Sequence, residues 1–532
     1  MAYVALAAAA ALGLFLYVVV FTGRRGKNLP PGPKTLPLIG NIHQIPKEKA
    51  YLKFNEWAKE YGGIYSIMVA SHPTIVLTDR RLVKELMEKR SSITSNRPRS
   101  FIMETMVYEG DDIILMQGDN PHWKLARRFM HQNFMASVVE KSHMPLIEAE
   151  TTQMIKDMVE TPADFMKHPT RFANSFMMSI AYGIRTPHRK ISHMVEINKA
   201  LRNTTELLAP GTLPPVDLFP FLLHVPHQLF GRWRDKVAET HKTMNGLYSK
   251  YMGYVEERRS SIGEMDSFAD KLLQQEEKLD WTRHGLNFMA GLMMEAGSDT
   301  TSGVINSFLL LMTKFPGAYK KAQEQIDTIV GDDRTPVWND WQKLTEVNKL
   351  LKETMRMRPV APIAFPHALA EDIWLDDMLL PKGSDIIVNV LGLHFDEQRF
   401  PDPDTFDPER FSGKPLLADG YANAANYEER DHYAYGTGRR LCVGIHLAER
   451  GAFLAMAKVL WAFDILPGRD SAGNIIDNDL SWETGTDGGI IVSPRPFACE
   501  LRPRSEKRKE VILREFKDAE DNVFPKYLVP EQ

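Results

Sequence analysis

A mainly helical α+β chain behind one N-terminal membrane helix is the fold class the sequence predicts, and three observations carry it. Apolar residues cover nearly all sides of residues 286–313 (Leu286, Phe288, Met289, Leu292, Met293, Ile305, Phe308), as in a long helix run through a core. Two β-rich runs, Gly63-Ile64-Tyr65-Ser66-Ile67-Met68-Val69 and Thr74-Ile75-Val76-Leu77, flank Ala70-Ser71-His72-Pro73, a hairpin signal. Residues 2–22 carry no charge.

That uncharged run sets the membrane expectation. At about 1.5 Å per residue it spans about 30 Å, the hydrocarbon core of a bilayer. A cleaved secretory signal carries basic residues before its apolar stretch, whereas Arg24, Arg25 and Lys27 follow this one. The positive-inside rule then puts the N-terminus in a lumen and the body in the cytosol. Leu29-Pro30-Pro31-Gly32-Pro33 comes next, and consecutive prolines stiffen the backbone. The expected organisation is an anchor over 1–23, a basic and proline-rich linker over 24–37, and one domain over 38–532.

Composition fits a single large domain. Of 532 residues, 43% are hydrophobic, enough for a large core, and no repeat, Ser/Gly linker or low-complexity block follows residue 40. A net charge of −4 with no basic stripe excludes a nucleic-acid footprint. The cluster Lys507-Arg508-Lys509 reads as a solvated helix face. Two cysteines provide no disulfide framework, in keeping with a cytosolic body.

One of those cysteines, Cys442, lies in Tyr435-Gly436-Thr437-Gly438-Arg439-Arg440-Leu441-Cys442-Val443-Gly444, just before an apolar helical stretch (Ile445, Leu447, Phe453, Leu454). A lone cysteine is more often an inert core residue, but this setting suits a thiolate that binds iron. The glycines let backbone approach a flat ligand, and the arginines supply charge for an acidic group. Amide dipoles at the start of the following helix are expected to lower the thiol pKa.

The loop resembles the haem-binding signature of cytochrome P450 monooxygenases, with Tyr435 where most members have phenylalanine. Four further segments resemble the family in order. Trp123-Lys124-Leu125-Ala126-Arg127 places Trp123 and Arg127 one helical turn apart, suited to a haem propionate, although a lone WxxxR is weak evidence. Ala296-Gly297-Ser298-Asp299-Thr300-Thr301 puts an acid and hydroxyls inside an apolar rod, where a helix kink at Gly297 with back-bonded threonines is an equal alternative explanation. By resemblance, Thr300 hydrogen-bonds dioxygen and its water while Asp299 relays protons. Glu353-Thr354-Met355-Arg356 is by spacing an ordinary i, i+3 ion pair, but in the family it packs beneath the haem, completed by Arg410 of Pro408-Glu409-Arg410. His367 and Arg440 would add propionate contacts, with Gly444 beside the ligand; taken alone, His367 reads as a core histidine.

The resemblance implies haem b on the Cys442 thiolate, with one atom of O2 inserted into a substrate C–H bond and the other leaving as water. No strand-linked GxGxxG or P-loop is present, so electrons would come from a separate NADPH-dependent reductase, in the endoplasmic reticulum membrane. Expected pocket walls are Phe101 and Met103, then Met293 and Ala296, then Val360, Ile363 and Phe365, all apolar. The segments 366–372, 430–433, 444–450 and the tail 506–516 look like fungal members serving secondary metabolism, most similar to the m-cresol and m-hydroxybenzyl alcohol hydroxylases of the patulin route. Benzylic or ring hydroxylation of a small phenol follows. Terpenoids and other aromatic polyketides are alternative substrates. A non-catalytic haem electron carrier, or a hydrolase using Cys442 with His446, are alternative classes.

Overall fold

The computed structural model describes residues 3, 6, 13, 22–208 and 212–529. The expected membrane helix over 1–23 lies almost wholly outside them, and among the described residues no helix is long and apolar enough to cross a membrane. Residues 24–37 lie along the body. Arg25 donates to the carbonyls of Gly32 and Pro33, both at 2.7 Å, and to Ser66 O at 2.9 Å, so one guanidinium binds the proline-rich segment to a strand.

The helices of ten residues or longer are α1 (Ala50–Tyr61), α2 (Pro121–Phe134), α3 (Met144–Glu160), α4 (Lys167–Tyr182), α5 (Ser192–Leu208), α6 (Trp233–Ser261), α7 (Arg283–Lys314), α8 (Lys320–Ile329), α9 (Thr345–Met357), α10 (Ile445–Ala462) and α11 (Glu506–Asn522). Strands β1 (Ile64–Val69) and β2 (His72–Leu77) form the expected hairpin. The turn closes earlier than the sequence pattern indicates, at Ala70, whose φ of 54° is left-handed, and His72 and Pro73 join the strand. Strands β3 (His367–Ala368), β4 (Ile373–Leu375), β5 (Met378–Leu380) and β6 (Asp385–Val388) follow, with β7 (Phe463–Pro467) and β8 (Cys499–Pro503) near the end. One sheet has the order β1-β2-β6-β3, with β2 and β6 parallel; β4-β5 and β7-β8 are separate antiparallel pairs.

Helix α7 is the axis of the fold. Thr282 caps its first turn by accepting from the Gly285 N–H at 3.0 Å, and its middle is apolar all round because it is packed on all sides. Its largest partner is α4, with α6, α9 and α10 also against it. Gly297 serves this packing: a Cβ there would lie 2.4 Å from Met177 Cγ on α4. Close approach of two helices accounts for the glycine, and α7 runs unbroken through it.

In the basic cluster near the C-terminus, Lys507 keeps the solvated face expected of it, whereas Arg508 does not. Arg508 is buried, donating to Trp461 O at 2.6 Å and to Asp332 and Asp327 at 2.7 Å each. It pins α11 to the core, which charge counting along the sequence does not reveal.

Candidate active site

A cavity of about 260 Å³ lies where the Cys442 loop faces α7. Local geometry builds the loop. Gly436 and Gly438 have φ of 74° and 63°, a region that favours glycine, and a Cβ on Gly438 would sit 2.0 Å from Met87 O, so position 438 has no room for a side chain. Buried Arg430 holds the turn from behind, donating to Gly436 O at 2.5 Å and Ala422 O at 2.8 Å. The Cys442 amide donates to Tyr435 O at 2.9 Å. Gly444 caps α10, with φ of −87° and only Cys442 Sγ, 3.9 Å away, near its notional Cβ. Its amide donates to that sulfur.

Cys442 is exposed on the cavity wall. Desolvation pushes its thiol pKa up, and the Gly444 amide and the Arg127 charge recover only part of that rise. The lowering expected from the helix start is therefore outweighed by desolvation. His446 does not line this cavity; its Nδ1 lies 3.5 Å from Asp419, so the hydrolase pairing is not assembled.

Cations crowd another wall. Arg97, Arg127 and Arg440 all line the cavity. Burial drops Arg440 to about 8, with the Arg97 and Arg127 charges adding to the fall and Asp112 opposing it. Arg97 falls to about 10, again through burial first. Arg127 donates to Leu441 O at 2.6 Å, and Arg440 stacks over Trp123 at 4.3 Å from the ring centroid. Trp123 Nε1 is buried without a hydrogen-bond partner. Three guanidiniums and an orphaned indole N–H around one cavity form a set of donors with a deficit of anions. A ligand bearing two carboxylates, as haem b does, fits that deficit. Arg97 lay beyond sequence reasoning, since Asn96-Arg97-Pro98-Arg99 has no local mark of a site.

His367 also lines the cavity, and its Nδ1 lies 2.7 Å from the Thr94 carbonyl. Burial, with Arg97 beside it, holds its pKa well below the usual histidine range. With the nitrogen facing Thr94 engaged there, Nε2 is the ring atom left for a further contact.

Beneath the cavity, Glu353 and Arg356 are fully buried and paired twice, Nε to Oε2 at 2.7 Å and Nη2 to Oε1 at 2.8 Å. Arg356 also donates to His394 O at 3.0 Å and Pro403 O at 2.9 Å, while Arg410 Nε lies 3.4 Å from Glu353. The three expected members of this network are therefore together.

On α7, Thr300 lines the cavity and its hydroxyl donates to Ala296 O at 2.8 Å. That back-bond leaves the oxygen lone pairs free to accept. Asp299 sits on the flank of the helix, its pKa raised by burial and by Asp487 nearby. Met293, Ala296, Val360 and Phe365 line the cavity as expected. Three expected walls do not. Phe101 is 42% exposed and Met103 packs into the main core, because the turn Ile102–Val107 lies against α6; Ile363 packs with Tyr51 and Leu391. Ala364, Ile113, Thr301 and Ile491 stand in the wall instead.

Residues 30–487 match the cytochrome P450 family. The chain belongs to that family. As a cytochrome P450 it carries haem through a cysteine thiolate and receives electrons from a separate reductase, acting as an oxidoreductase on a substrate and O2. It is 44% identical to the cytochrome P450 monooxygenase yanC of Aspergillus niger, over 100% of both chains. It is 43% identical to macC of Penicillium terrestre over 99% of each, and 41% identical to patH of Aspergillus clavatus over 98% of each. All three are fungal cytochrome P450 monooxygenases.

Proposed function

We propose that this cytochrome P450 hydroxylates a small phenol, at a benzylic or ring carbon, in fungal secondary metabolism of the patulin type. The supporting observation is the cavity, which pairs the Cys442 sulfur with an apolar wall of Met293, Ala296, Val360, Phe365 and Ile491. Haem bound there supplies oxidation by activated dioxygen. Cys442 holds its iron, and Arg127, Arg440, Arg97 and the Trp123 N–H hold its propionates. Glu353, Arg356 and Arg410 fix the floor. Apolar walls exclude water and leave a substrate little freedom, while Thr300 accepts a hydrogen bond from the water that brings protons and Asp299 passes them inward.

Electrons come from an NADPH-dependent reductase of the endoplasmic reticulum. The apolar run 1–23 anchors the chain there, with the domain from residue 38 on the cytosolic side. Microsomes carrying the chain and a reductase, fed m-cresol, m-hydroxybenzyl alcohol and related phenols, test the substrate assignment. A hydroxylated phenol is the expected product; turnover confined to terpenoids or larger polyketides overturns it. Deleting residues 1–27 should yield a largely soluble, haem-loaded protein, and a full-length protein secreted without residues 1–22 would defeat the anchor.

A further inference from the structure

A second carboxyl on α7 has no role in the site as described. Glu295 lies one helical turn before Asp299, so the two side chains are neighbours on one flank of the helix. Its Oε1 is buried and has no hydrogen-bond partner. Leu292 and Ala296, on either side of it along the helix, line the haem cavity, whereas Glu295 stands just outside that wall. The groups facing it are Tyr248 on α6, which hydrogen-bonds the carboxyl, Asp112 and Asp299, with Tyr108 and Tyr182 close enough to sense its charge. No cation is among them.

Two of these groups, Tyr108 and Asp112, also line a second cleft. That cleft, of about 160 Å³, is also lined by Gly110 and Arg99, the latter with a side chain 70% exposed. Burial brings Asp112 up to about 6 and Glu295 up to about 7, so both can hold or release a proton near neutrality. An acid of that kind, spaced between a cleft and Asp299, has the chemistry of a proton donor rather than of a structural ion.

We infer that Glu295 is the proton donor to Asp299, filled from the Tyr108–Asp112 cleft. The inference rests on the monooxygenase reading and on the relay roles of Asp299 and Thr300. Each turnover combines O2, one substrate C–H, two electrons from the reductase and two protons, and releases the alcohol and one water. In each delivery the Glu295 O–H breaks and an O–H forms on the Asp299 carboxylate. Asp299 then yields that proton to the water bound at Thr300, and Glu295 regains one from water in the cleft.

The test uses the full-length holoenzyme with its reductase and the variants Glu295→Gln, Glu295→Asp and Tyr108→Phe. Glu295→Gln should keep the carbon monoxide spectrum and the substrate-induced spectral shift of the parent. Its yield of product per NADPH should fall about tenfold, less than the ~100-fold of a general acid lost completely, because Asp299 remains. Hydrogen peroxide should rise to match, and the solvent deuterium isotope effect on product formation should increase. Glu295→Asp should recover part of the coupling. Infrared spectra should show a protonated carboxyl band that Glu295→Gln removes, a reading independent of any substrate. If the parent oxidises no phenol, the substrate assignment falls, while peroxide release and the infrared band still report on the donor. Parental coupling in Glu295→Gln, or an unchanged infrared band, overturns the inference. Should Glu295→Gln not load haem, parental coupling in Tyr108→Phe overturns it equally.

Discussion

Arg356→Ala tests the floor of the site most severely. The guanidinium is fully buried and makes two bonds to Glu353 and one each to the His394 and Pro403 carbonyls. Its removal strands a buried carboxylate whose remaining partners are the Asp407 N–H at 2.9 Å and the more distant Arg410. Breaking one side of a buried pair costs about 3–5 kcal/mol, and leaving the two carbonyls unpaired adds about 1–3 kcal/mol each. Against a net stability of about 5–15 kcal/mol for a folded chain, the total consumes most or all of it. The expected outcome is protein without bound haem, seen as a lost carbon monoxide spectrum and a collapsed denaturant midpoint. Arg356→Lys keeps the charge without the fork and should lie between. Haem-loaded Arg356→Ala with the parental midpoint would refute the reasoning.

Cys442→Ala should abolish the thiolate haem spectrum and turnover, and Cys499, in β8 and away from the cavity, should not substitute for it in the spectrum. Trp123→Phe keeps the ring beneath Arg440 but removes the orphaned N–H; haem dissociation, followed by transfer to a haem acceptor, should quicken about tenfold, the worth of one buried hydrogen bond. Thr300→Ala should retain haem and substrate binding while NADPH consumption yields peroxide in place of product, and tight coupling in that variant would make the threonine merely structural. Burial lifts Glu449 to about 8, above its unfolded value near 4.5, so the parent loses stability as pH rises from about 4.5 through 8. Glu449→Gln lacks that loss, and its stability relative to the parent, read from denaturant midpoints, should climb over the same interval; a difference flat with pH would rule out a buried neutral acid.

What the sequence determined by itself is local. The Cys442 loop could be read because its glycines and the helix after it are consecutive residues, and the structure keeps Gly436 and Gly438 at positive φ and starts α10 one residue after Gly444. Likewise α7 spans the all-round apolar stretch, extended by only a few residues at its start through the Thr282 cap. Glu353 and Arg356 were legible as a pair, since i, i+3 spacing on a helix dictates contact; that they are buried was not.

Tertiary structure decided the rest, for two physical reasons. Walls of the cavity come from segments hundreds of residues apart, such as Arg97, Thr301 and Ile491, and their meeting leaves no periodic trace along the chain. The same packing turns Met103 away from the cavity within the main core and Ile363 into a smaller cluster, although both are apolar and Ile363 adjoins the wall residue Ala364. Charge behaviour is the second reason, because it depends on summed surroundings. The Cys442 thiol rises rather than falls, and Arg440 drops to about 8, because desolvation by the whole fold exceeds what the neighbouring amides and charges return.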